Sequence, residues 1–334
     1  MTKLLIILSL FTYTVSGAPD HFRLWFPQYG PTFEGYVRSC KETYDAYRED
    51  KPCRPVNYVG CQSGRMIHCL LSQATESLKA NMASAGVILG LLPTTLCLVG
   101  LSTVETGLLA YRRPLLSLLL ASGAPAISPS RIFDYRDSIE LLRNRSTYIN
   151  TPKFTPTWAA IIVTLQYILA SVAIANLAHV SWELCIKTVC SFSSDTAFQP
   201  ALWAFVAIPI HLMGRLAVAL RFRCEISELE PGERSWARRL REEFQLTARH
   251  SPATLHTKQE AYSFIFCSWC TSTGAVLHIM YGTLVFSSIL FISAQDAIKV
   301  AARYLCSTLI CRIILKFEII GMRGVMEIEK ESKE

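Results

Sequence analysis

The chain has 334 residues, is 51% hydrophobic and 18% charged, and carries 33 basic against 26 acidic side chains, a formal net charge of +7. A mean hydropathy of +0.29 decides little by itself, since soluble domains come close to this apolar content. The distribution decides: charges are swept out of several long stretches and gathered between them. That pattern excludes an ordinary soluble globule, and it argues against a nucleic-acid partner because the positive excess lies beside apolar runs, where it sets membrane orientation.

The amino end reads as a signal peptide over 1–17: Lys3, then the apolar run Leu4–Tyr13, then the small-residue exit Val15-Ser16-Gly17 before Ala18. The run is too short for a span, which needs about 20 apolar residues. The mature amino end is therefore expected outside the cytosol, in a protein of the secretory pathway with the plasma membrane as its expected destination.

From Ala18 to about Leu78 the sequence is charge-balanced and aromatic, with cysteines at Cys40, Cys53, Cys61 and Cys69. An even number in a small domain facing an oxidising compartment predicts two disulfides, and a core of about 60 residues needs such staples. A zinc site would favour paired C-x2-C spacing, which this segment lacks, so neither metal nor cofactor is expected. Ser39 and Glu42 spell a capping box before a helix whose Cys40, Tyr44 and Tyr47 share a face, ended by Pro52. A second helix is expected from near Arg65, without proline until Pro93, and so unbroken into the first span. Of the three pairings that four cysteines allow, Cys61–Cys69 falls away if this helix reaches back to Cys61. Two turns would then separate them by about 12 Å, whereas a disulfide needs Cα atoms within roughly 7 Å. Cys40–Cys69 with Cys53–Cys61 is the preferred choice of the two that remain.

Apolar runs at about 82–104, 158–180, 200–220 and 264–293 are each long enough to cross a bilayer. A fifth, 301–320, is interrupted by Arg303, Arg312, Lys316 and Glu318, and either spans or lies on the surface. Leu115–Ile127 is too short and contains Gly123 and Pro125, so it reads as interfacial or re-entrant. The fold class is thus all-α: a polytopic membrane helix bundle of about five spans over 79–321, following a small disulfide-stapled outer domain at 18–78. Loops 105–157 and 221–263, rich in arginine, are expected in the cytosol by the positive-inside rule. The loop 181–199 has only Lys187 and falls outside, where Cys185 and Cys190 are candidates for an external disulfide. The charged tail 322–334 is cytosolic if the fifth run crosses.

The stretch Lys79-Ala-Asn-Met-Ala-Ser-Ala-Gly-Val-Ile-Leu-Gly-Leu-Leu-Pro-Thr-Thr, then Ser102-Thr-Val-Glu105 and Arg112-Arg-Pro-Leu-Leu, resembles a family of uncharacterised multi-pass membrane proteins of filamentous ascomycete fungi. So do His278-Ile-Met-Tyr-Gly-Thr-Leu-Val-Phe-Ser-Ser, Asp296, Arg303-Tyr304 and Cys311-Arg312. The resemblance covers most of the chain. It implies a fungal source and an integral membrane location, and no activity.

Polar groups inside spans are functional candidates by default. Here they are Glu105, His211, Arg215 and His278, with Glu105 expected either beside Arg112 and Arg113 or paired with Arg215. Gln166, Asn176 and His179 mark the second span. Gly86-x-x-x-Gly90 and the weaker Ser171-x-x-x-Ala175 are small-residue contact motifs, within one chain or between two. In the inner loop Trp236, Leu240 and Phe244 recur on one face beside Arg238, Arg239 and Arg241, as in a helix lying on an anionic leaflet or packed on the bundle. Cys224, Cys267 and Cys270 are placed for acylation, and the sequon Asn144-Arg145-Ser146 falls on the cytosolic side, where it stays bare. Phosphate-loop, nucleophile-elbow, zinc-protease and dinucleotide motifs are all missing from the sequence, so no catalytic residue is assigned. The expected role is a sensor, receptor-like or scaffold component with the lipid bilayer and an outer ligand or protein as partners. The rivals are a transporter or channel using the four intramembrane residues, and a lipid-modifying enzyme.

Overall fold

Apolar runs bounded by glycine, proline and charge become long helices, because only a helix satisfies its own backbone over such a length. In a computed structural model of the chain the described residues are 21–49, 51, 61–128, 154–226, 236–259, 261–323 and 325–329. The expected signal peptide, Pro52, Cys53 and the Asn144 sequon lie outside them. In chain order the elements are α1 (Gly30–Ser39), α2 (Lys41–Arg48), α3 (Cys61–Gln73), α4 (Glu76–Gly90), α5 (Leu92–Val99), β1 (Leu101–Ser102), α6 (Thr103–Leu109) and α7 (Pro114–Gly123). There follow β2 (Ile127–Ser128), α8 (Pro156–Lys187), β3 (Val189–Cys190), α9 (Gln199–Arg221), β4 (Phe222–Ile226) and α10 (Trp236–Glu243). The chain closes with β5 (Ala253–Thr257), α11 (Tyr262–Ser287), β6 (Ile289–Leu290), α12 (Ala294–Arg323) and β7 (Met326–Glu329).

Among the described residues four helical stretches are long and apolar enough to cross a membrane: Glu76–Val99, Pro156–Lys187, Gln199–Arg221 and Tyr262–Ser287. The fifth expected run lies in α12, a 30-residue helix too charged to join them by composition. The chain is mostly helical but not all-α. β4 pairs antiparallel with β5, which pairs parallel with β7, so the expected inner loop and tail share a small sheet. The expected loop 105–157 likewise begins as the buried helix α6 and then α7.

Two compact units make up the chain. The first comprises residues up to Pro93 with Ala178–Trp203 and Tyr281–Arg303. Its core joins Phe22, Phe33, Met66, Leu70 and Met82 to Val189 and Phe291. Phe22 and Phe291 both hold left-handed backbone (φ 67°), a conformation that costs a bulky residue on the order of 1–3 kcal/mol. Their rings meet edge-on at 6.1 Å, and Phe291 also packs on Trp25 and Phe33, contacts that hold the strained turns in place. Cys40 and Cys69 form a disulfide, and Cys61 is disulfide-bonded too. Since α3 starts at Cys61, the geometric exclusion of Cys61–Cys69 applies.

Three local expectations give way here. Ser39 bonds the carbonyl of Gly35 at 3.3 Å and Cys40, not Ser39, precedes α2, so the capping box does not form. The helix toward the first span starts at Cys61 rather than Arg65, and it breaks at Ala74–Thr75, where Thr75 caps α4 by accepting from the amide of Leu78. An N-cap sits elsewhere: at the start of α12 the Ser293 hydroxyl accepts from the amide of Asp296 and donates to its carboxylate, both at 3.0 Å. Gly86 and Gly90 face Ser287, where an added Cβ would lie 3.2 and 3.0 Å from its atoms, so that motif packs within one chain. Ser171 and Ala175 are exposed.

The second unit comprises Thr94–Leu177, Ala204–Met280 and the chain from Tyr304. Its core gathers Leu109, Leu116, Leu120, Ala173, Leu315 and Met322. α6 and α9 approach closely through glycine: a Cβ on Gly214 would lie 2.6 Å from Thr103, and one on Gly107 2.9 Å from Val218.

Candidate functional site

The second unit holds a buried ionic network. Arg113, fully buried, precedes α7 and donates to the carbonyl of Glu243 at 2.9 Å and to Gln166 at 2.7 Å. It also pairs with Glu318 at 2.9 Å and lies over the Tyr167 ring. Glu318, on α12, accepts from Gln166 at 2.6 Å and from the amide and hydroxyl of Thr247. The Glu243 carboxylate accepts from the amides of Leu115 and Leu116 at 3.1 and 2.9 Å and from the Tyr167 hydroxyl at 2.7 Å. A carboxylate thus caps α7, where orphan amides and the helix dipole favour negative charge. Arg112, also buried, donates to the carbonyl of Ser251 at 2.9 Å. His250 lies close by, its pKa lowered first by burial and then by Arg112. Arg113 and Glu318 compensate each other, as burial of charge requires.

A second constellation lies on the charged face of α12. Glu105, 2% exposed, pairs with Arg312 and, at 2.6 Å, with Lys316. Neither expected partner set is therefore realised. Arg112 and Arg113 are engaged in the network above, and Arg215 is exposed. Arg215 lies on the flank of the α6–α9 contact: its Cα approaches Gly107, but its side chain stays exposed. His211 is buried, with Nδ1 3.1 Å from the Thr106 hydroxyl, and His278, also buried, is within electrostatic range of it. The four residues of the transport reading are thus split among an ion pair, a histidine neighbourhood and an exposed arginine.

In the first unit Glu183 meets Lys187 at 2.6 Å and also pairs with Arg303, which lies 2.9 Å from His179. Asp296 accepts from Lys299 and from the amide of Gln28, and Asn81 accepts from the amide of Ala294. Cys185 and Cys190, expected as an external disulfide, are both free and buried. Cys190 is fixed opposite Ile289 in a strand pair, and burial pushes its thiol up to about 12, which keeps it protonated and unreactive. No group of three or more metal-ligating side chains is found among the described residues.

Sequence reasoning missed Glu243, Thr247 and Glu318. The signal for Glu318 was present in the charges of the fifth run: Arg312 and Lys316 share a face at i, i+4, while Glu318 lies on another, so two separate partners were called for. The site belongs to a helical protein with membrane-length apolar helices and internally neutralised charge. Compared with known proteins, the chain matches no family model, no curated protein and no solved structure.

Proposed function

We propose that the chain is an integral membrane protein acting as a receptor-like or scaffold component, with 181–199 outside the cytosol and 221–263 inside. The observation that carries the membrane reading is the outward face of its apolar helices. The apolar windows of α8, α9 and α11 are only 28%, 33% and 33% buried, and α8 exposes Trp158, Ile161, Leu165, Ile168 and Val172. Soluble proteins rarely expose apolar patches beyond a few hundred Å²; lipid demands them. The arginine-rich loops and the resemblance to fungal multi-pass proteins support the same reading, and the fixed ion pairs of Glu105 and Arg113 suit a static bundle.

Reporters fused near Asp195 and Arg239 test the orientation: the first should behave as external and the second as cytosolic, and the reverse at either site rejects it. The buried neighbourhood of His211 and His278 favours transport as the second reading. In proteoliposomes the full chain should leave an imposed proton gradient standing. A collapse that His211→Gln or His278→Gln abolishes would establish transport instead.

A further inference from the structure

One amphipathic element of the second unit is only half used. α10 is held by its last residue, Glu243, 4% exposed and bonded to α7 and Tyr167. Just beyond it, Leu246 packs on Ala159 and Val163 of α8. With Glu243 turned inward, Leu240 and Phe244 stay 47% and 53% exposed, and the Phe244 ring meets Tyr167 at 5.3 Å. Phe244 thus adjoins α8 at Tyr167, in the half of that helix that carries Trp158, Ile161 and Leu165 at its surface. Arg241 and Arg249 are exposed beside them, and Gln245 holds the carbonyl of Arg249 at 2.9 Å, keeping it in the same turn. Of the two acidic neighbours, Glu243 is buried and Glu242 is half-buried and engaged. The outward charge of this turn is therefore positive. Apolar side chains held at the start of a membrane-length helix, with guanidinium groups alongside, have the layout of an interfacial helix. Its apolar groups enter the acyl boundary while arginine heads stay with the headgroups.

We propose that the turn Leu240–Arg249 binds anionic phospholipid headgroups, Arg241 and Arg249 engaging the phosphates and carboxylates. The inference rests on reading α8 as a membrane span. Neutral zwitterionic headgroups would leave both arginines without net counter-charge, whereas an anionic lipid supplies it at the depth that Leu240 and Phe244 set.

The full chain in nanodiscs of phosphatidylcholine, doped with spin-labelled phosphatidylserine or spin-labelled phosphatidylcholine, tests this by electron paramagnetic resonance. The motionally restricted fraction should favour phosphatidylserine severalfold. Arg241→Gln with Arg249→Gln should bring the preference toward unity, since it removes the basic side chains that attract the anionic headgroup. Added salt should weaken it, and excess inorganic phosphate should not abolish it. If the glutamine variant misfolds, Arg241→Lys with Arg249→Lys decides, because it keeps the charge and should keep the preference. Equal restriction of both lipids in the parent protein overturns the proposal, as does competition by free phosphate. No restricted lipid of either kind overturns the membrane reading itself.

Discussion

Replacing Arg113 with leucine tests whether the buried network holds the second unit together. The guanidinium has no exposed surface and meets Glu318, Gln166 and the Glu243 carbonyl at 2.9, 2.7 and 2.9 Å. At an effective dielectric near 20, an ion pair at that spacing is worth roughly 6 kcal/mol before desolvation. Deleting one partner of a buried pair costs about 3–5 kcal/mol net. Glu318 would keep its hydrogen bonds from Gln166 and Thr247, which places the loss near the lower end, about 3 kcal/mol. For a chain of 334 residues that lowers Tm by roughly 4 °C, read by intrinsic fluorescence of the detergent-solubilised protein. Glu318→Leu alone should also destabilise, by leaving Arg113 uncompensated. Combining the two changes removes both charges and should recover about 1–3 kcal/mol of the summed losses. If Arg113→Leu melts with the parent, or the two losses simply add, the pair is not the tie described.

The second ion pair separates two assignments. Arg312→Leu should lower the yield of folded protein and Glu105→Gln on top should restore much of it, whereas Arg215→Leu should be nearly silent by fluorescence-detected gel filtration; the opposite ranking would return Glu105 to Arg215. Cys40→Ser opens a link across 29 residues, which should destabilise the first unit by about 3–4 kcal/mol; thiol labelling of Cys69 in the native parent would refute the link. Burial lowers the pKa of His21 from its ordinary 6.5 to about 4. The unfolded chain therefore binds a proton that the folded one refuses, and the His21 contribution is intact above pH 6.5 and lost as pH falls toward 4. The loss amounts to at most about 3 kcal/mol. Tm against pH should show this slope in the parent and a flatter one in His21→Asn; identical slopes count against it.

The long helices were legible because apolar composition over a span's length admits almost nothing else; helix pitch narrowed the cysteine pairings to two, of which Cys40–Cys69 was the preferred one. What escaped were features decided by distant partners. Ser39-x-x-Glu42 and Ser293-x-x-Asp296 have the same spacing, yet only the second serine caps a helix, accepting from the amide of Asp296. Asp296 there is buried and held also by Gln28 and Lys299, whereas the first lies on an exposed turn. Glu105 was rightly singled out and wrongly partnered, because its partners Arg312 and Lys316 come from a helix some 200 residues on in the sequence. The strands β4, β5 and β7 were invisible since their pairing is settled by chain segments far apart in sequence.

The place of Phe291 in the aromatic core carries a consequence for synthesis. The amino-terminal helices leave the ribosome first, but Val189 of their core arrives about 100 residues later and the Phe291 ring that closes it about 200 residues later. At roughly 5–20 residues per second that is a wait of about 10–40 seconds. During that interval Phe22, Phe33 and Met66 lack their cover, and the disulfide Cys40–Cys69 can form around an unfinished interior. A secreted fragment ending near Leu78 would keep that unfinished interior for good, exposed and prone to aggregate. The early part of this protein is completed by the late part.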